Sequence, residues 1–384
     1  MCPRFDSWWH HSNEKRFRLS RDLFYFPLIP YLSDLKFLFV EPALVITDIS
    51  DLASHLDMLI PSGSKVFVLT DSNVAEHCLP ELMAHVPAIE AAEIIELDPG
   101  EENKSLEIVT HLWAHLLENE ADRKSVLLNL GGGVICDLGG FVGATYKRGI
   151  SVIHLPTSLM AMVDAALGGK TGIDFGGVKN SVGVFAPEIS TLVYPYFLDS
   201  LPEPEWKSGW AEMLKHALIA DPILWKDLKV FSTEVRPEII ALNIRIKEGI
   251  IQTDFHEYAE RKLLNFGHTI GHGIEAYYLA QGKTISHGEC VAAGMLVETL
   301  LSVRFNDLSF KEMEEIKSAI HATVLLPSFE FPPFESILPF IKNDKKNAGQ
   351  SLRFVLLQKI GEGHWNIAIE ESEVKAAYEQ VASE

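Results

Sequence analysis

The sequence predicts an α/β fold with a parallel sheet in its first half, followed by a mainly α-helical second half. Three observations predict it. Short apolar runs alternate with helical patterns up to about Leu201. From Glu203 to about residue 323 the pattern is helical, with few strand signals. At 384 residues and 47% hydrophobic side chains, the chain can bury two domain cores without disulfide or metal staples.

In chain order, Lys65–Thr70 reads as a buried strand, followed by the turn-like Asp71-Ser72-Asn73 and a helix from Val74. Ile94–Leu97 is a second strand, ending in Asp98-Pro99-Gly100, and residues 105–119 carry helical periodicity. Ser125–Leu130 is a third strand running directly into Gly131-Gly132-Gly133, and Val152–Leu155 is a fourth. Strands that alternate with helices imply a parallel sheet with helices packed on it. Late in the chain, Leu352–Leu357 and His364–Ile369 flank Gly361-Glu362-Gly363 and predict a hairpin. We place the domain boundary at Leu201-Pro202, giving an α/β domain over 1–201 and a helical domain over 202–384, with 1–20 as a variable extension.

Composition excludes several classes. With 33 basic against 53 acidic residues, the surface repels nucleic acid and anionic membrane, which argues against both as partners. No run of apolar residues is long enough for a membrane span, and the start MCPRFDSWWHHSNEKRF lacks the apolar region of a signal peptide. Cys2, Cys78, Cys136 and Cys290 form no C-x-x-C pair, which points to a reducing, cytoplasmic setting.

Three groups of residues suggest chemistry. Gly131-Gly132-Gly133 lies between a strand and a helix, where backbone N–H groups can meet a pyrophosphate. It is not a G-x-G-x-x-G motif, and no acidic residue follows at the usual distance, so a dinucleotide loop and a plain tight turn both fit. Asp71 is a candidate ribose carboxylate; Glu101 and Lys104, taken alone, read as solvated loop charges. His268 and His272 share a helix face at i and i+4, His287 sits in Ser-His-Gly-Glu, and Glu212 offers a helical carboxylate. Such ligands suit zinc or a similar divalent ion; spacing does not choose among the three histidines. Gly168-Gly169-Lys170-Thr171-Gly172 lacks phosphate-loop spacing, but a lysine on a glycine turn still suits an anion. Arg148, Lys179-Asn180, Lys215, Lys247, Arg261 and the Lys342/Lys345/Lys346 group add positive charge and suggest a doubly anionic substrate, with Lys342 and Lys346 read as surface lysines.

Together these segments resemble the 3-dehydroquinate synthase family. The telling strings are GGGVICDLGGFVGATYKRG from Gly131, LPTSLMAMVDAALGGKTGIDFGGVKNSVGVF ending at Phe185, GWAEMLKHALIAD at 209–221, RKLLNFGHTIGHGIEA at 261–276 and SHGE at 286–289. The match runs from about residue 65 to 360 and is dense across 125–290. The resemblance implies a nucleotide-binding α/β domain and a helical metal-binding domain. It implies Glu212, His268 and His287 as ligands of zinc or cobalt, which displaces the His268/His272 pairing. Asp71, Glu101, Lys104, Gly132, Gly133, Asp137, Thr157, Ser158 and Lys179 match positions that hold NAD. Asp164, Lys170, Asn180, Lys215, Lys247, Arg261, Asn265, His272 and Lys345 match substrate positions, and Arg148 matches an arginine that reaches the neighbouring subunit, implying a homodimer. Cys136 stands where glycine is usual, Gly143 and Lys147 vary around Arg148, and residues 174–178 depart from the commonest loop.

The activity implied is conversion of 3-deoxy-D-arabino-heptulosonate 7-phosphate, a small anionic sugar-acid phosphate, to 3-dehydroquinate and phosphate. In the family, NAD transiently oxidises C5, phosphate is eliminated, hydride returns, and an intramolecular aldol step closes the ring. Two rivals share parts of this logic. A 2-epi-5-epi-valiolone or 2-deoxy-scyllo-inosose synthase uses substrates without the carboxylate, whereas Lys247, Arg261, Asn265 and His272 are the types expected for a carboxylate-bearing one. A metal-dependent polyol dehydrogenase would form NADH in net amounts and usually has aspartate in place of Glu212.

Overall fold

A computed structural model describes residues 42–323, 329–343 and 351–384. The first part of the chain runs β1 (Leu44–Val45), α1 (Ile49–Leu59), β2 (Val66–Asp71), α2 (Ser72–His77), α3 (Leu79–His85), β3 (Glu93–Leu97), α4 (Leu106–Glu118), β4 (Val126–Gly131), α5 (Gly133–Thr145), β5 (Ser151–Pro156), β6 (Lys170–Phe175), β7 (Val178–Phe185) and β8 (Ser190–Val193). Then follow α6 (Glu203–Ala220), α7 (Pro222–Leu228), α8 (Pro237–Thr253), α9 (His268–Leu279), α10 (His287–Phe305), α11 (Phe310–Thr323), α12 (Phe334–Asn343), β9 (Ser351–Lys359), β10 (Glu362–Glu370) and α13 (Glu371–Ala382). Among the described residues no helix is long and apolar enough to cross a membrane.

Six strands form a parallel sheet in the order β1-β8-β5-β4-β2-β3. Residues of β2 and β4 are almost all buried, as continuous apolar strands covered on both faces should be. Alternation divides them: Val66, Val68, Val126 and Leu128 enter one core with the helices α6 to α8, while Phe67, Leu69 and Leu127 enter a second core under α4 and α5. The chain reverses direction across the sheet at β2 and β4, because β3 lies outside β2 and β4 lies on its other side. Ligand crevices of open α/β sheets form at such a switch point, beyond the carboxyl ends of the strands.

The predicted strands and the late hairpin are present with shifted ends. Asp71-Ser72-Asn73 is no turn. Asp71 ends β2 and caps α2, its side chain accepting the Val74 N–H at 3.1 Å. The glycine-rich stretch around Lys170 is also more ordered than a loop. It forms the β6–β7 hairpin, with Gly176 and Gly177 at positive φ in its two-residue turn.

Candidate active site

The glycine turn lies where the chain leaves β4, beside the end of β2. Leu69 pairs with Asn129, so Asp71 and Gly131 finish neighbouring strands at a similar level. Asp71 thus places a carboxylate beside the glycine turn from the adjacent strand. Gly132 precedes α5 and Gly133 is its first residue. Thr157 donates its N–H to the Gly131 carbonyl at 3.0 Å, and a Cβ on Gly132 would lie 3.4 Å from Ser158 Oγ. Cys136 does not disturb this turn; it is buried in the first turns of α5, with Sγ 3.8 Å from the Gly131 carbonyl.

Lys104 is not a solvated loop charge. It is 3% exposed, with Nζ 2.6 Å from Asp137 Oδ2 and 3.8 Å from Glu101 Oε1. Burial opposes its charge, but Asp137, Glu101 and Asp174 outweigh burial and hold its pKa above the ordinary lysine value. Lys179 on β7 continues the line, 3.4 Å from Glu101 and 3.0 Å from Glu275 Oε1.

The helices build the second centre. Glu212 on α6 is fully buried, and its Oε1 lies 3.4 Å from Nε2 of both His268 and His287. His268 is the first residue of α9 and His287 the first of α10, so two helix starts converge on one carboxylate. Ser208, one turn before Glu212, fixes the second start: its hydroxyl meets Ser286 Oγ at 3.0 Å and accepts the Gly288 N–H at 3.3 Å. Glu212 Oε1 accepts no hydrogen bond. A buried orphan oxygen facing two imidazole nitrogens is a group that could hold a divalent metal. His272 stands beside this set, its ring centroid 5.1 Å from that of His268 and 5.9 Å from that of His287. Two further groupings could hold an ion by proximity: His272 with Glu275 and His287, and Asp164 with Glu212 and His216. Glu275 and His216 carried no sequence signal, since single charged or imidazole groups on helices are commonplace.

Lys170, Lys215, Lys247 and Arg261 each meet a carboxylate or carbonyl. Lys215 Nζ lies 2.5 Å from Glu212 Oε2 and 3.6 Å from Asp164 Oδ2. Lys247 on α8 donates to the Asp164 carbonyl at 2.5 Å and also pairs with its carboxylate. Asp164 projects from a single π-helical turn, Ala161–Ala165. Burial raises the Asp164 pKa, but Lys215 and Lys247 outweigh it and hold the carboxyl well below its ordinary range. Burial pushes Lys247 down to about 8 against the pull of Asp164, helped by its cationic neighbours Lys215 and Arg261.

Arg261 donates to the Phe255 carbonyl at 2.5 Å and to the Gly168 carbonyl at 2.9 Å. Gly168 has φ +84°, and a Cβ there would lie 2.4 Å from Ile251 Cδ1 and 2.9 Å from Arg261 Nη2, so the glycine makes room for both side chains. Lys170 pairs with Glu257, and Asn265 donates to the other oxygen of Glu257 at 2.6 Å. Glu257, absent from the sequence reading, thus occupies the space between two predicted anion-binding residues. Asn180 has φ +50° and donates its N–H to Asp174 Oδ1 at 2.8 Å.

One predicted residue stands apart from this cluster. Arg148 is exposed in the turn after α5 and forms no ion pair among the described residues; its neighbour Lys147 anchors the turn on the Ala121 carbonyl at 2.5 Å. Lys345 lies outside the described residues, as does Lys346, and Lys342 pairs with Glu371 at 2.6 Å.

An α/β sheet with a glycine turn at its switch point, facing a helical carboxylate–imidazole centre lined by lysines, defines the class of a metal-site enzyme for small anions. Comparison with known proteins narrows the class. Residues 94–208 match the family model "3-dehydroquinate synthase N-terminal", and residues 209–347 match "3-dehydroquinate synthase C-terminal". The chain is 36% identical to a 3-dehydroquinate synthase of Parabacteroides distasonis, over 84% of this chain and 94% of that one. It is 37% identical to a 3-dehydroquinate synthase of Solibacter usitatus, over 79% of this chain and 86% of that one. Among solved structures it resembles a 2-deoxy-scyllo-inosose synthase complexed with carbaglucose-6-phosphate, NAD+ and Co2+ (TM-score 0.75, 23% identity, 88% of this chain and 95% of that one), a likeness of fold. The chain belongs to the 3-dehydroquinate synthase family.

Proposed function

We propose that the protein is a 3-dehydroquinate synthase, converting 3-deoxy-D-arabino-heptulosonate 7-phosphate to 3-dehydroquinate and phosphate. The observation that carries this reading is the meeting of Glu212, His268 and His287 beside the buried Lys215, with Lys215 and Lys247 flanking Asp164. Glu212, His268 and His287 would hold zinc or cobalt. Asp71, Glu101, Lys104, Gly132, Gly133, Asp137, Thr157, Ser158 and Lys179 would hold NAD. When bound, NAD supplies a reversible hydride acceptor and the metal a Lewis acid for substrate oxygens.

The chain's own residues supply position and charge. Lys170, Asn180, Asn265, His272 and Arg148 would hold the anionic ends of the substrate, with Lys345 alongside. Orientation of this kind can lower a barrier by several kcal/mol. Lys215 and Lys247 flank Asp164 and supply charge beside the metal set. Because Glu257 already neutralises Lys170 and engages Asn265, substrate must take over those donors when it binds. The leaving phosphate is a chemically sufficient base for the neighbouring proton, so the protein needs little base of its own.

We read residues 1–201 and 202–384 as the two domains, with the join just before α6. A homodimer accounts for the exposed Arg148 and for the exposed apolar Phe175, Val178 and Val182 on the hairpin. Cytoplasmic residence is consistent with the buried free thiols of Cys78, Cys136 and Cys290.

One preparation tests the reading. Purified protein is mixed with the substrate, catalytic NAD and zinc, and phosphate release is followed beside NADH absorbance. Stoichiometric phosphate without lasting NADH, abolished by a chelator, is the expected result. Lasting NADH would replace the reading with a dehydrogenase, and activity only on sedoheptulose 7-phosphate or glucose 6-phosphate with a sister cyclase. Sedimentation velocity of the same sample should show a dimer; a monomer would remove that part.

A further inference from the structure

Glu275 is used by none of the roles above, yet it touches both centres. It lies on α9 and is 6% exposed. Its Oε2 is 3.3 Å from His287 Nδ1, and its Oε1 is 3.0 Å from Lys179 Nζ. His287 presents its other nitrogen, Nε2, to Glu212. Lys179 is in turn held by Glu101, which also faces Lys104. A line of alternating charge therefore runs from the carboxyl ends of the sheet to the helical centre, and Glu275 is the step between a strand residue and an imidazole.

A neutral imidazole carries one N–H, and the nitrogen that carries it cannot ligate a metal. A carboxylate at Nδ1 places the hydrogen there and leaves a lone pair on Nε2. It also fixes the ring plane and raises ligand basicity. We propose that Glu275 is a positioning residue for His287, accepting its Nδ1–H so that Nε2 faces Glu212, and that Lys179 holds Glu275 in that pose from the hairpin. The inference rests on reading Glu212, His268 and His287 as the metal set. It makes the metal centre depend on Lys179, a residue that touches none of its ligands.

The test measures zinc affinity of the purified enzyme, without NAD or substrate, by competition with a chromophoric chelator. Glu275→Ala should weaken zinc binding roughly 10- to 100-fold. Glu275→Gln, whose amide oxygen still accepts the Nδ1–H, should recover most of that loss. Lys179→Ala should weaken zinc binding several-fold and Lys179→Arg should restore it. Wild-type zinc affinity in Glu275→Ala would overturn the proposal, as would a Glu275→Gln no better than Glu275→Ala when both melt like wild type without metal. If Glu275→Ala does not fold, a Lys179→Ala that binds zinc like wild type overturns it. Glu212→Ala is measured alongside: unchanged zinc affinity there would mean that the metal set itself is misread, a failure distinct from that of Glu275 alone.

Discussion

His154 shows how a single buried group can govern acid stability. It lies on β5 opposite Asn129 of β4, is 3% exposed, and has its Nδ1 3.2 Å from the Asn129 amide nitrogen. Burial pushes its pKa from 6.5 down to about 4. The unfolded chain therefore binds a proton between these values that the folded chain does not. The stability this difference contributes is full above about pH 6.5 and is lost as pH falls through about 4. A shift of this size corresponds to about 3 kcal/mol. We predict that wild type loses more stability than His154→Gln between pH 7 and 4, read from urea midpoints; parallel curves would refute it. The same scale shows what the sequence could not choose. Residue types at Glu212, His268, His272 and His287 suggest a metal, but spacing ranks only partners on one helix. The carboxylate comes from α6 and the second imidazole from the start of α10, a juxtaposition made by tertiary packing. Glu257 and Glu275 stay hidden for a similar reason, since their partners lie on β6, β7 and α10.

At the scale of elements, the two histidine-bearing helices touch through backbone. A Cβ on Gly294 of α10 would lie 1.8 Å from the Gly267 carbonyl oxygen, just before α9, and 3.0 Å from the Gly271 nitrogen. Buried Glu298, one turn on from Gly294, accepts the Gly267 N–H at 2.8 Å and pins the same junction. Gly294→Ala must push α9 from α10, because backbone cannot rotate aside as a side chain can. Overpacking of this kind costs about 1–3 kcal/mol or more, so we predict a lower melting temperature and weaker zinc binding. Gly249→Ala is the counterpart: that helical glycine has open space around its Cβ position, and the change should stabilise α8 by about 0.5–1 kcal/mol. Equal effects of the two substitutions would sink the argument. Long apolar strands and periodic helices were legible because burial repeats within them. β1 and β8 span only Leu44–Val45 and Ser190–Val193, too short for a period to register. β6 and β7 were missed because their glycines and polar residues read as a loop, while much of the ribbon is exposed and carries no core pattern.

At the scale of the molecule, one core cluster joins the sheet to the helices, from Val68 and Leu128 through Trp210 and Leu214 to Val291 and Met295. Glu212, His268 and His287 stand on three helices whose starts or middles border this cluster, so a metal held by all three ties distant stretches of chain at one point. The unfolded chain cannot present the same set, and a ligand bound only by the folded state stabilises it by mass action. At a free zinc concentration near 100 times the dissociation constant, that stabilisation is about 2.7 kcal/mol. Without metal, Glu212 remains a buried carboxylate with an orphan oxygen, held chiefly by Lys215. We therefore predict that a chelator lowers the melting temperature of wild type and that added zinc restores it. Glu212→Ala should melt at one temperature with or without chelator. A wild-type melt indifferent to both chelator and zinc would separate Glu212, His268 and His287 from metal binding and leave them as an internal ion-pair cluster.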